Sequence, residues 1–225
     1  MLSFEPDVAG DSPLQVLCLG AHADDIEIGC GGAVLELLAN RPGTRVDWVV
    51  LSARGVREKE ASAAAERFTA AARQKTITLG QFRDGYFPYS GGEIKDFFEE
   101  LKGRVDPDIV LTHHRHDLHQ DHRMVSDLTW NTFRNHLILE YEIPKYDGDL
   151  GVPNFFAPLS SRSCDEKIAA ILECFSSQRD RYWFTDETFR ALLRLRGVEA
   201  RSPTGYAEGF HARKILSRFR GAPAA

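Results

Sequence analysis

The 225-residue chain contains no apolar run approaching the roughly 18 residues that a membrane-spanning helix needs. Its opening stretch, MLSFEPDVAGDSP, is acidic and has no basic segment followed by an apolar core, so no secretory leader is read there. An excess of positive charge is also missing. Lys and Arg total 28 against 33 Asp and Glu, for a net charge of −5, which argues against nucleic acid as a partner. Cysteine is scarce: Cys18, Cys30, Cys164 and Cys174 form no CxxC pair and sit in apolar or helical surroundings. Reduced, buried thiols and a cytoplasmic location are the expectation. No internal repeat, low-complexity block or long linker divides the chain. One domain over 13–219 is expected, with residues 1–12 and 220–225 as tails.

What is present is an alternation of strand-like and helix-like segments. LQVLCLG (14–20), RVDWVVLS (45–52), KTITLG (75–80) and PDIVLTHH (107–114) are short apolar runs bounded by Gly, Pro or charge, which read as strands. Between them, GGAVLELLAN, REKEASAAAERFTAAAR (57–73), GEIKDFFEELKGR and QDHRMVSDLTWNTFRN read as helices. The second half is less regular, with strand-like LILEYEIP and NFFAPLS around a turn-rich KYDGDLGVP. Helical CDEKIAAILECFSSQ and DETFRALLRLRG follow, then a last strand or ordered tail at YAEGFHARKIL. This order predicts an α/β fold with a mostly parallel sheet flanked by helices. In such sheets ligands bind beyond the carboxyl ends of the strands.

Two His/Asp clusters fall at such ends. The first, after the first strand, is His22, Asp24 and Asp25 in LGAHADDIEIGCGG. The second, after the fourth strand, is HHRHDLHQDH, which holds five of the chain's eight histidines. Imidazole and carboxylate suit Zn²⁺, which at catalytic sites keeps three protein ligands and one open position. A divalent cation also explains why two carboxylates stand side by side: one binds the metal and the other serves as general base. Asp121 is placed to fix the tautomer of a histidine. The competing explanations are helix caps or turns for the paired aspartates and adventitious metal binding for the histidine-rich loop. Two clusters at two strand ends of one sheet favour a metal site. Gly29, Gly31 and Gly32 are not a dinucleotide fingerprint, because the charged AHADD segment separates them from the strand. Close helix–strand packing is their expected role, and Cys30 beside them reads as a small buried thiol.

At these residues the sequence resembles the PIG-L/LmbE-like family of zinc-dependent N-acetylglucosaminyl deacetylases. The family pattern A-H-P-D-D-x-x-x-G-x-G-G is matched by AHADDIEIGCGG, and H-x-x-D-x-H-x-D-H by His114, Asp117, His119, Asp121 and His122. An R-x-x-E pattern opening the second helix is matched by Arg57 and Glu60, and YAEGF resembles the family's usual ending. The likeness runs from about residue 15 to 215. It implies a Rossmann-like fold with zinc held by His22, Asp25 and His122, and Asp24 as general base. It also implies His119, supported by Asp121, as a second catalytic group, and Arg57 as a sugar-holding residue. Asp117 stands where some members carry tyrosine, and it is counted with the substrate-contacting residues. Ala23 replaces the family's proline, which would have stiffened the loop.

Asp84 after the third strand reads either as a sugar-hydroxyl ligand or as an ordinary turn residue, and Tyr206 is a further candidate substrate contact. Glu208 reads either as reaching the site or as a surface or structural residue, and His211 reads as a structural histidine. The basic run RALLRLRG (190–197) reads as a solvated helix face or as a contact for an anionic part of the substrate. The expected function is zinc-dependent removal of an acetyl group from an N-acetylated sugar conjugate, a small-molecule partner. A homo-oligomer is left open. The alternative is a metal-dependent phosphoesterase on a sugar or nucleotide phosphate, whose second metal would draw on His113, His114 and His116. A non-catalytic binding module is disfavoured, since binding alone gives no reason for a base beside metal ligands.

Overall fold

Along the first strand, β1 (Gln15–His22), side chains alternate between two separate cores. Val16 and Cys18 pack into one, and Leu17, Leu19 and Ala21 into the other. A strand buried on both faces reads as a continuous apolar run. The computed structural model describes Phe4 and residues 13–216. Apart from Phe4, the expected tails 1–12 and 220–225 lie outside the described residues.

The elements that follow are α1 (Asp25–Asn40), β2 (Arg45–Ser52), α2 (Val56–Phe68), β3 (Gln74–Leu79), α3 (Gly91–Lys102), β4 (Ile109–His113) and α4 (Gln120–Thr132). The chain continues through β5 (Leu137–Tyr141), β6 (Phe155–Pro158), α5 (Ser161–Cys174), α6 (Asp186–Ala200) and β7 (Ala207–Ala212). Single 3₁₀ turns span Phe87–Ser90 and Ser176–Gln178. The seven strands form one sheet in the order β3-β2-β1-β4-β5-β7-β6. β1 to β5 run parallel, and β7 is antiparallel to both β5 and β6. This is a single-domain α/β fold. α1, α2, α5 and α6 contribute to the core on one face, α3 and α4 to the core on the other.

The chain steps outward from β1 to β3 and then returns to place β4 on the other side of β1. That reversal makes the β1/β4 junction the switch point where a crevice opens beyond the strand ends. His22 closes β1 and His113 closes β4.

The largest departure from the sequence reading is the start of α1. Expected at Gly31, it begins at Asp25, so the acidic motif forms the first helical turn. Glycine lowers helix propensity, which hid this turn in the sequence. The glycines are there for approach: a methyl group at Gly29 would overlap the Tyr141 ring, and one at Gly31 would overlap Phe68. α2 ends at Phe68, short of the expected 73.

Candidate metal centre and cleft

Four element ends meet at the switch point: the carboxyl ends of β1 and β4 and the amino ends of α1 and α4. His22 and Asp25 come from the β1–α1 junction. The backbone N–H of His22 donates to the Asp25 carboxylate at 2.7 Å. His122 comes from the first turn of α4 and is buried, 3% exposed. The Nδ1 of His22 lies 3.2 Å from Nε2 of His122. Asp25 approaches His22 Nδ1 at 3.5 Å with one oxygen and His122 Nε2 at 3.5 Å with the other. Tetrahedral ligands at 2.0–2.1 Å from a zinc ion would stand about 3.3 Å apart, a spacing that each of these three pairs approaches, with a different Asp25 oxygen toward each histidine.

The outer nitrogen of each ring is held by a carboxylate. His22 Nε2 is 3.1 Å from Asp121 Oδ2, and His122 Nδ1 is 2.9 Å from Asp117 Oδ2. Carboxylates behind ligating histidines fix the ring and raise its basicity. Three overlapping sets of donor atoms converge closely enough to hold an ion: His22, His119 and His122; Asp25, His113 and His122; and His22, Asp84 and Asp121. His113 is fully buried, its ring stacked on His122 at 3.9 Å and its Nε2 3.1 Å from Asp25.

Asp24 and Asp25 diverge electrostatically. Burial pushes the Asp24 carboxyl up to about 7; Arg57, 2.9 Å away, opposes this and the Asp25 charge adds to it. Burial acts the same way on Asp25, but His122 and His113 outweigh it and hold that carboxyl well below the ordinary range. Adjacent carboxyls driven apart in this way differ in proton affinity, one taking up a proton near neutrality and the other staying charged. Burial lowers His22, yet the Asp121, Asp25 and Asp84 carboxylates that accept from its ring raise it well above an ordinary imidazole. Burial and the facing His113 push His122 down to about 4. Asp24 also has a backbone φ of 149° with ψ of −15°, a conformation non-glycine residues seldom adopt. Such strain collects where a side chain must be aimed.

The cluster floors a cleft of about 530 Å³. Of the sequence-predicted residues, His22, Asp24, Asp25, Arg57, Asp84, His119 and His122 line it. Asp117, Asp121 and Tyr206 do not. Asp121, fully buried, accepts from the backbone N–H groups of Gly85 (2.7 Å) and Phe87 (3.1 Å) and faces His22. Its carboxylate therefore orients His22, which corrects the expectation that it supports His119. His119 receives only the Asp121 backbone N–H, as the N-cap of α4. Asp117 is buried behind His122 and pairs with Lys145 at 3.0 Å, so it meets the histidine and not the substrate surface. Tyr206 is half-buried against the core on the α1 face, away from the cleft.

Arg57 bridges Asp24 and Glu60 and bonds the carbonyl of Ala23. Glu208 pairs with Lys167 at 2.6 Å and accepts from the N–H groups of Gly32 and Ala33, joining β7 and α5 to α1. His114 bonds Glu140 and stacks on His211, and His116 is exposed, so neither joins the cluster. Lys145, Arg54, Gln178, Arg181 and Trp183 border the cleft without having been singled out from sequence. They lie in turn-rich or loop segments where spacing carries no signal.

Fold and donor set together define an α/β protein with a His/Asp metal-type centre at the sheet's switch point. The chain belongs to the PIG-L family, GlcNAc-PI de-N-acetylase, which residues 17–133 match. No curated protein matches it in sequence. Among solved structures it is similar to a conserved protein of Thermus thermophilus, at 22% identity and TM-score 0.71 over 94% of this chain and 100% of that one. The N,N'-diacetylchitobiose deacetylase of Pyrococcus horikoshii is similar at 23% identity and TM-score 0.69, over 88% and 83%. The 4-carboxy-2-hydroxymuconate hydratase of Pseudomonas putida is similar at 21% identity and TM-score 0.74, over 93% and 100%. At these identities the likenesses concern the fold.

Proposed function

We propose that the protein is a zinc-dependent N-deacetylase acting on an N-acetylated sugar conjugate of the N-acetylglucosamine type. The observation that carries this reading is the three-donor set His22, Asp25 and His122 with Asp24, a carboxyl of pKa about 7, beside it on the cleft floor. Family membership supports deacetylation, and the carboxylate behind each histidine supports a metal. Zn²⁺, which His22, Asp25 and His122 would hold, would supply Lewis acidity that acidifies water and stabilises negative charge on the acyl oxygen.

The chain's own residues supply the proton transfers. Asp24 takes a proton from the attacking water as its oxygen forms a bond to the acetyl carbon. As the C–N bond breaks, the Asp24 carboxyl returns that proton to the departing nitrogen, leaving acetate and a primary amine. His119, half-buried at the cleft wall, donates to the acyl oxygen as charge develops there. Arg57 fixes Asp24 and lines the cleft, where it also meets the sugar. Asp84, exposed at the rim, is a sugar-hydroxyl acceptor. Two-metal phosphoester chemistry is not favoured, because His114 and His116 turn elsewhere.

Residues 13–219 are read as one domain. The cytoplasmic reading rests on four free cysteines, three of them buried. Among the described residues no helix is long and apolar enough to cross a membrane.

A fold shared with a hydratase does not fix the reaction, so the test must follow the amide. Zinc-loaded protein incubated with N-acetylglucosamine conjugates should release acetate and primary amine in equal amounts. Release of neither from any conjugate contradicts the reading.

A further inference from the structure

We propose that Lys145 is a positioning residue: it fastens the cleft-lining loop 144–150 to the segment 117–119 and so aims His119. The inference rests on the deacetylase reading for what His119 does, and on the hydrogen bonds alone for how it is held. Among the described residues the His119 ring makes one hydrogen bond, accepting at Nδ1 from the Asp121 N–H at 3.3 Å. Its aim is therefore set by the backbone that carries it. Two carboxylates hold that backbone. Asp117 Oδ1 accepts from the His119 N–H at 2.7 Å, and Asp149 Oδ2 accepts from the Leu118 N–H at 2.6 Å. Lys145 joins the two carboxylates, its Nζ 3.0 Å from Asp117 Oδ2 and paired with Asp149 Oδ2.

The loop has few other holds. Glu142 accepts from the Gly151 N–H at 2.9 Å and Arg196 donates to the Gly151 carbonyl at 3.0 Å, which closes the base of the loop. Beyond that base, among the described residues, 144–150 is hydrogen-bonded to the rest of the chain only through Lys145 and Asp149. Tyr146 and Asp147 of the same loop line the cleft together with His119. One ammonium group thus links a wall of the cleft to the catalytic histidine. The side chains of Lys145, Asp117 and Asp149 are only 10%, 3% and 6% exposed. Breaking pairs at that burial leaves uncompensated charge, unlike the loss of a solvated surface pair. Without Lys145 the two carboxylates would repel each other, and segment 117–119 would drift from the loop. A misplacement of about 1 Å at a catalytic group costs up to about 10²-fold in rate.

The test follows amide hydrogen exchange by NMR, and turnover of the methyl glycoside of N-acetylglucosamine, on the full chain at equal zinc loading. Wild type, Lys145→Met, His119→Ala and the double variant are compared. Lys145→Met is expected to speed exchange at the Leu118 and His119 amides about tenfold or more, with the amides of β1 unchanged. It should lower kcat about tenfold with KM within about twofold, and that loss should shrink to about twofold or less when residue 119 is already alanine. Wild-type protection of both amides in Lys145→Met overturns the proposal. A kcat loss that persists in full on the His119→Ala background also overturns it and leaves the deacetylase reading standing. If neither this glycoside nor any other N-acetylglucosamine conjugate is turned over, the deacetylase reading fails and the exchange result alone decides whether Lys145 holds the segment. Should Lys145→Met fail to fold, Asp149→Asn cuts the loop side of the tether while Lys145 stays paired with Asp117. It is expected to free the Leu118 amide and to lower kcat in the same His119-dependent way. Full protection of Leu118, or an unchanged kcat, in that variant overturns the proposal.

Discussion

His22 and His122, a hundred residues apart in sequence, face each other at 3.2 Å through Nδ1 and Nε2, each ring backed by a different carboxylate. Two imidazole nitrogens at that distance need a proton or a cation between them. The high proton affinity of His22 and the low one of His122 place a shared proton on His22.

The backing carboxylates should therefore tune metal affinity without touching the metal. Asp121→Asn and Asp117→Asn are each expected to weaken zinc about 10- to 100-fold, read by competition with a chelator. His119→Asn, which lacks such a place, should leave affinity within a few-fold. Unchanged affinity in both aspartate variants would contradict the assignment of these partners.

His119 lines the cleft as the N-cap of α4. Its replacement by alanine should keep zinc at full stoichiometry and lower kcat by about 10²–10⁴, the range for a general acid–base or oxyanion-stabilising group. Loss of the metal in this variant would instead make His119 a ligand.

Glu27 gives a test in stability. It is fully buried, neither carboxylate oxygen has a partner, and burial raises its pKa to about 8, with Asp24 and Asp25 adding to the rise. The folded protein thus keeps a proton that the unfolded chain loses near pH 4.3. Between these values the unfolded state binds fewer protons, so stability falls as pH rises, by about 1.4 kcal/mol per unit for this group. In chelator-treated protein, Glu27→Gln should flatten urea-melt stability between pH 5 and 8 and exceed wild type at pH 8. An unchanged slope would contradict a protonated Glu27.

The sequence carried the sheet and the donors further than their pairing. β2 spans 45–52 as its apolar run predicts, and the His/Asp motifs place His22 and His122 on one cleft. The partners of Asp117 and Asp121 were not legible. Asp121 adjoins His122, but neighbours in a helix point about 100° apart, so its carboxylate reaches across to His22. Asp117 lies before α4 and curls back onto His122, a loop geometry that spacing does not encode. The site-bordering Arg54, Lys145 and Arg181 stand in loops, where no periodicity marks a residue as facing inward.

The central claim is that Asp25 holds the metal and Asp24 moves the proton, although the two side chains are identical and adjacent. The most direct measurement compares Asp24→Asn and Asp25→Asn for zinc affinity by chelator competition and for acetate release at equal zinc loading. Asp24→Asn is expected to keep zinc and lose activity, since an amide cannot accept a proton from water. The acidic limb of the wild-type pH–rate profile, set at or below pH 7 by this carboxyl, should vanish from its residual rate. Asp25→Asn is expected to weaken zinc, because a neutral amide oxygen is the poorer ligand. Zinc lost from Asp24→Asn but retained by Asp25→Asn would reverse the roles, and full zinc with full activity in both would contradict the account.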